Sequence, residues 1–234
     1  MNLLRRLGEF LRPAPQTRPE WPDDGSWTLH AHPCGEFQLD AGFAVTPYVP
    51  SWMLPIGAPD DPPVPLPDLP RVAGHVLTAD AIGRETELIR YFSRLPSLGD
   101  RSSWRETAEF SCLSVNLLLR LPEVAPVVAD MFAASRQAAG SLLDDLSGGG
   151  EKGGIVYDNL DQGWALRILV QDDAVFVLEW NWETAHPRAG ARALRLPRPM
   201  VAAQAIAARH RLDELHGTML GALGRDLWSC PARD

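Results

Sequence analysis

From Gly154 to Glu183 the chain reads GIVYDNLDQGWALRILVQDDAVFVLEWNWE, and its alternation of apolar and polar residues constrains the fold more than any other segment. Side chains of a strand point to opposite faces with a period of two, so a slip of one residue turns every one of them over. The stretch reads as three antiparallel strands. With Gln171, Asp172 and Asp173 as a turn, Val170 faces Ala174, Ile168 faces Phe176, Leu166 faces Leu178 and Trp164 faces Trp180, which makes one face wholly apolar. The other face then carries Ala165, Arg167, Leu169, Val175, Val177, Glu179 and Asn181. A two-residue turn at Asp172 and Asp173 would set Glu179 and Asn181 against Leu166 and Trp164, burying polar groups without partners. The sequence therefore favours the three-residue turn, with Asp173 accepting the left-handed position at its end.

Capping chemistry marks helices in the middle third. Asp80 can cap a helix running to about Leu95. Ser103 followed by Glu106 forms a capping box that opens a helix from Trp104 to Leu121, and Pro126 suits the first turn of a third helix reaching the glycine run. SGGGEKGG, from Ser147 to Gly154, reads as a hinge. Beyond the sheet, Thr184 to Pro199 reads as a loop, and Met200 to Trp228 as one or two helices interrupted near Gly217. Upstream, WTLHAH and EFQLD around Pro33-Cys34-Gly35 suggest a hairpin, with a further extended piece at Phe43 to Tyr48. Between Pro47 and Pro70 lie nine prolines, which exclude a helix or interior strand because each removes a backbone donor and fixes φ. That segment is an extended arm whose Trp52, Met53, Leu54, Ile56, Val64, Leu66 and Leu69 are expected to lie across the body. At the N-terminus, Leu3, Leu4, Leu7, Phe10 and Leu11 recur at helical spacing. The expected organisation is thus an amphipathic helix and connector over 1–25, then a single α+β domain over 26–234 with a possible subdivision at 147–154. Its expected architecture is a small antiparallel β-sheet packed against a helical layer, with the proline-rich arm laid over it.

A chain of 234 residues, 45% hydrophobic and 22% charged, can bury a full core. Its formal charge of −8 argues against sequence-independent nucleic-acid binding, which needs clustered Lys and Arg to displace counterions. An acidic surface instead suits a basic partner. Lys152 is the only lysine among many arginines, and alanine, glycine and proline are abundant, a pattern expected of GC-rich bacterial coding. Cys34, Cys112 and Cys230 are odd in number and far apart, which points to a reducing compartment, the cytoplasm. The first residues lack the apolar core and cleavage site of a secretory signal, and no run approaches the roughly 20 apolar residues of a membrane span.

Few residues suggest chemistry. His30 and His32, with Cys34, would share one face of a strand and so converge on a metal ion, the basis for an alternative reading as a metal-dependent hydrolase. His210, Asp213 and His216 do not lie on one helical face. No nucleophile elbow, phosphate loop or dinucleotide fingerprint occurs, so neither catalytic residues nor a cofactor is expected. The polar sheet face remains: Arg167, Glu179 and Asn181, continued by Trp182 and Glu183, is the expected binding surface, since tryptophan among polar groups is enriched where partners dock. The leading expectation is a non-enzymatic cytoplasmic protein that binds another protein, such as a bacterial immunity protein or chaperone for a basic toxin or effector. A second alternative places residues 1–12 on a membrane surface.

Overall fold

The computed structural model describes residues 25–47, 64–95, 113–122, 124–129, 135–149, 153–161, 164–181 and 191–229. It is an α+β protein with two sheets. A five-stranded sheet has the order β1-β9-β8-β7-β6 and a four-stranded sheet the order β3-β2-β4-β5. The strands are β1 (His32–Pro33), β2 (Gln38–Ala44), β3 (His75–Leu77), β4 (Val115–Arg120), β5 (Val127–Ala129), β6 (Gly154–Asp161), β7 (Trp164–Val170), β8 (Ala174–Asn181) and β9 (Ala191–Pro197). The α-helices are α1 (Thr78–Ala81), α2 (Glu85–Ser93), α3 (Arg136–Asp144) and α4 (Arg198–Leu223). All pairings are antiparallel except β1 with β9.

One core joins both sheets. Leu166, Ile168, Val175 and Val177 of the larger sheet and Leu39, Phe43, Leu117 and Leu119 of the smaller belong to the same buried cluster. Helix α4 enters it with Val201, Ala205, Ala208, Leu212, Leu215 and Met219, a spacing of three and four that keeps one stripe inward. The Gln204 side chain, also on α4, accepts from Leu39 N at 2.6 Å and donates to Phe37 O at 3.1 Å, fixing the start of β2. Where the sheets meet, a cavity of about 20 Å³ is lined only by aliphatic side chains, among them Leu39, Leu119, Ile168, Val177, Leu196 and Val201. Such a space stays dry, because water needs polar partners.

The β7–β8 register differs from the expected one. Val170 pairs with Val175, Ile168 with Val177, Leu166 with Glu179 and Trp164 with Asn181, and Gln171 N donates to Ala174 O at 2.8 Å, so Asp172 and Asp173 alone make the turn. Ile168 and Phe176 therefore lie on opposite faces. The two-residue turn is tolerated because both faces are buried and Glu179 is not left alone: its carboxylate pairs with Arg192 of β9 at 2.5 Å, the residue directly across the ladder. The reverse face holds Ala165, Arg167, Phe176, Leu178 and Trp180, all buried, with Trp27 set edge-on to Phe176 at 6.2 Å.

Other segments depart from expectation for local reasons. Trp27 lies in a 3₁₀ turn, Ser26–His30, and the hairpin is absent because β1 joins β9 while β2 joins the other sheet. The extended piece expected at Phe43 is the end of β2 itself. Asp80 caps nothing. Helix α1 stops at Ala81, and Ile82 with an extended ψ of 127° and Gly83 at φ 82° separate it from α2. Residues 115–120, expected as the end of a helix, form β4, since Val-Asn-Leu-Leu-Leu is buried on both faces and an apolar run of that length suits either structure. The third helix begins at Ser135, whose Oγ accepts from Ala138 N at 3.2 Å. Pro126 instead precedes β5. The expected loop over Thr184–Pro199 contains β9, with Leu194 and Leu196 facing the core. Helix α4 is continuous through Gly217, an exposed position where an added Cβ would meet nothing within 4 Å, and ends at Gly224 in the left-handed region. The described end of the proline arm, residues 64–70, carries no helix or strand and buries Val64 and Leu69. Its residues 48–63, the helix over 1–12 and the Ser103–Glu106 capping box lie outside the described residues.

On the outer face of the smaller sheet, the Asn116 side chain spans Gly42 to meet His75, Nδ2 to Nε2, at 2.9 Å. The ring's Nδ1 donates to Ala73 O at 2.7 Å. Gly42 is required there: a Cβ would fall 2.6 Å from Leu118 Cδ1 and 2.9 Å from His75 Cβ. Gly42→Ala should therefore destabilise the protein by about 1–3 kcal/mol through overpacking, measurable by urea denaturation.

Candidate functional site

Two of the residues expected on one binding face, Arg167 and Glu179, lie on opposite faces of the sheet. Arg167 points to the reverse face of the larger sheet, 5% exposed, where its Nε and terminal nitrogen grip Asp158 of β6 at 3.2 and 2.8 Å. Asp158 is directly opposite Arg167 in the ladder and belongs to β6. Glu179 faces the other way, and its partner Arg192 also donates to Ala125 O at 2.7 Å, tying the two sheets together. Asn181 ends β8. Trp182 and Glu183 lie outside the described residues.

His30 closes the 3₁₀ turn and His32 opens β1, so they do not stand on one strand face, and both are exposed. Cys34 donates its thiol to Glu36 O at 3.3 Å. Among the described residues no group of three or more His, Cys, Asp or Glu side chains is placed to hold a metal ion, and no helix is long and apolar enough to cross a membrane.

His216 and Asp226 form a further titratable pair. His216 Nε2 lies 3.1 Å from Asp226 Oδ1, off the line of a good hydrogen bond. Partial burial raises the carboxyl's pKa, but hydrogen bonds from Ser229 and Trp228 N, together with the nearby His216 ring, outweigh this and bring it to about 2, below the ordinary 3.8. A depressed acid stabilises the fold above its unfolded value, and that contribution is lost as pH falls from about 4 toward 2. Asp226→Asn should thus cost about 1 kcal/mol at neutral pH, the full linkage value being discounted for solvent screening. The difference from wild type should vanish near pH 2 in acid-titrated melts.

Among the described residues, β6 is the longest strand at a sheet edge. Two sheets have four edges, and three are short: β1 has two residues including Pro33, β3 has three, and β5 has three after Pro126. Brevity and proline are how proteins blunt edges. Strand β6 has eight residues, GIVYDNLD, without Lys, Arg or Pro, and among the described residues no strand pairs along its outer side. Only a register shift between Ile155 and Tyr157 interrupts it. Ile155 is 52% exposed, and the Asp158 side chain 41%. Since Gly154 pairs with Val170, the exposed Asp172–Asp173 turn lies beside the start of this edge. The alternation in GIVYDNLD is the sequence signal for β6. No protein family, curated protein or solved structure matches the chain.

Proposed function

We propose that this chain is a non-enzymatic protein that binds another protein, acting in the bacterial cytoplasm as an immunity protein or chaperone for a basic toxin or effector. The observation that supports this reading is the eight-residue β6, the longest edge strand among the described residues, set in a chain of net charge −8. A strand at a sheet edge is where another chain can pair, and a net negative charge favours a cationic partner and speeds its encounter. The products of genes flanking its own are the partners to test. Coexpression should give a stable complex in sedimentation, weakened by added salt, and should relieve the growth arrest caused by a toxic partner. If every such product stays free of the purified chain at micromolar concentration, the proposal fails.

A further inference from the structure

We infer that two copies of this chain pair through the outward face of α4, the two helices running antiparallel about a two-fold axis level with Leu212. The inward stripe of α4 is committed to the core. Its outward face is open along its length: Met200, Ile206 and Leu220 are exposed, Ile206 the most at 59%, and so are Ala203, Ala207, Gly217 and Gly221. The chain's own packing does not account for the two glycines. Glycine inside a helix is less stable than alanine, yet a Cβ at either position would meet nothing within 4 Å. Close approach of a second helix gives them a reason.

The charges select the occupant and its direction. At the middle of the face stand one base and one acid, His210 with 81% and Glu214 with 56% of the side chain exposed, 3.8 Å apart and so too distant for a hydrogen bond. A parallel copy would set Glu214 beside Glu214. An antiparallel copy centred at Leu212 sets His210 against the second copy's Glu214, twice, and the same register places Ala203 against Gly221 and Ala207 against Gly217. Ile206 then lies beside the second copy's Leu220. Asp213 and Glu214 are the only acids of α4, and Asp213 is already paired with Arg136 and Arg209. The repulsion between two chains of charge −8, which falls off over ~8 Å at physiological salt, is therefore not concentrated on this face.

Sedimentation equilibrium of the full chain in physiological salt should show dimers of twice the chain mass. Ile206→Glu and Gly217→Leu should each weaken pairing by about tenfold or more, whereas Val124→Glu, at an exposed apolar position outside α4, should leave it unchanged. His210→Glu, which gathers four carboxylates at the axis, should weaken it by about tenfold. Adding Glu214→Lys to that variant should restore pairing, because the two charges are then exchanged. The substituted positions are all exposed, so the helical circular dichroism of each variant should match wild type. A chain that stays monomeric at about 100 micromolar, equal losses from Val124→Glu and Ile206→Glu, or a double exchange no better than His210→Glu alone would overturn the inference. So would a different protein seated on this face of a chain that is itself monomeric.

Discussion

Trp228→Ala should lower the unfolding free energy by about 3–5 kcal/mol, the range for truncating a fully buried large aromatic. Trp228 has no exposed surface, and its indole stands edge-on to Phe92 at 4.8 Å, Phe43 at 5.3 Å and His216 at 6.0 Å. It thereby joins α2, β2 and α4. The backbone around it is tied as well: Leu113 N donates to Leu227 O at 2.6 Å and Arg136 N to Trp228 O at 2.9 Å. Because the indole Nε1 makes no hydrogen bond, the loss comes from packing alone, and Trp228→Phe should cost about half as much or less. Urea titration with an unchanged slope would separate this loss from a change in the unfolded ensemble. A decrease below about 1 kcal/mol for the alanine variant would show that the aromatic cluster closes over the gap.

Asp40→Ala should cost a similar amount, about 3–5 kcal/mol, because it breaks a buried charge network. Asp40 is fully buried on β2. Its Oδ1 accepts from Thr78 Oγ1 at 2.5 Å, Ala41 N at 3.0 Å and the Arg211 guanidinium at 3.0 Å, and its Oδ2 from Ala79 N at 2.8 Å. Arg211 Nε also donates to Thr78 Oγ1 at 3.3 Å. The carboxylate does for α1 what no local side chain does, since that helix has no side-chain cap of its own. Paired with Arg211→Ala in a double-mutant cycle, Asp40→Ala should show coupling well above the ~0.5 kcal/mol scatter of independent sites. Additive losses would mean that the guanidinium, partly open to solvent, finds equal company in water.

The α+β class and the strand character of Gly154 to Asn181 were legible in the sequence because period-two alternation persists there over many residues. The register was not. One polar and one apolar face favour the three-residue turn, but both faces are covered, and Glu179 finds Arg192 on β9, a strand whose residues read as a loop. Helices were overread where capping residues lay beside apolar runs. Asp80 and Pro126 carry the right chemistry, but Gly83 and the doubly buried β4 decide the local structure. Of the expected site, Arg167 and Glu179 were identified as charged residues on strands, yet pairing sends them to opposite faces. Edge position is a property of the assembled sheet, so nothing in GIVYDNLD itself distinguishes an outer strand from an inner one.

The connectivity of the two sheets also sets how quickly they can assemble. Strands β6 to β9 follow one another as a meander, so their contacts close short stretches of chain. By contrast, His32 must reach Leu194 and Leu39 must reach Leu119 before either sheet is complete. Distant pairings pay loop-closure entropy before they return any stabilisation, and proteins dominated by them fold on the millisecond-to-second scale. On chain-entropy grounds the meander is expected to close before β1 and β2 find their distant partners.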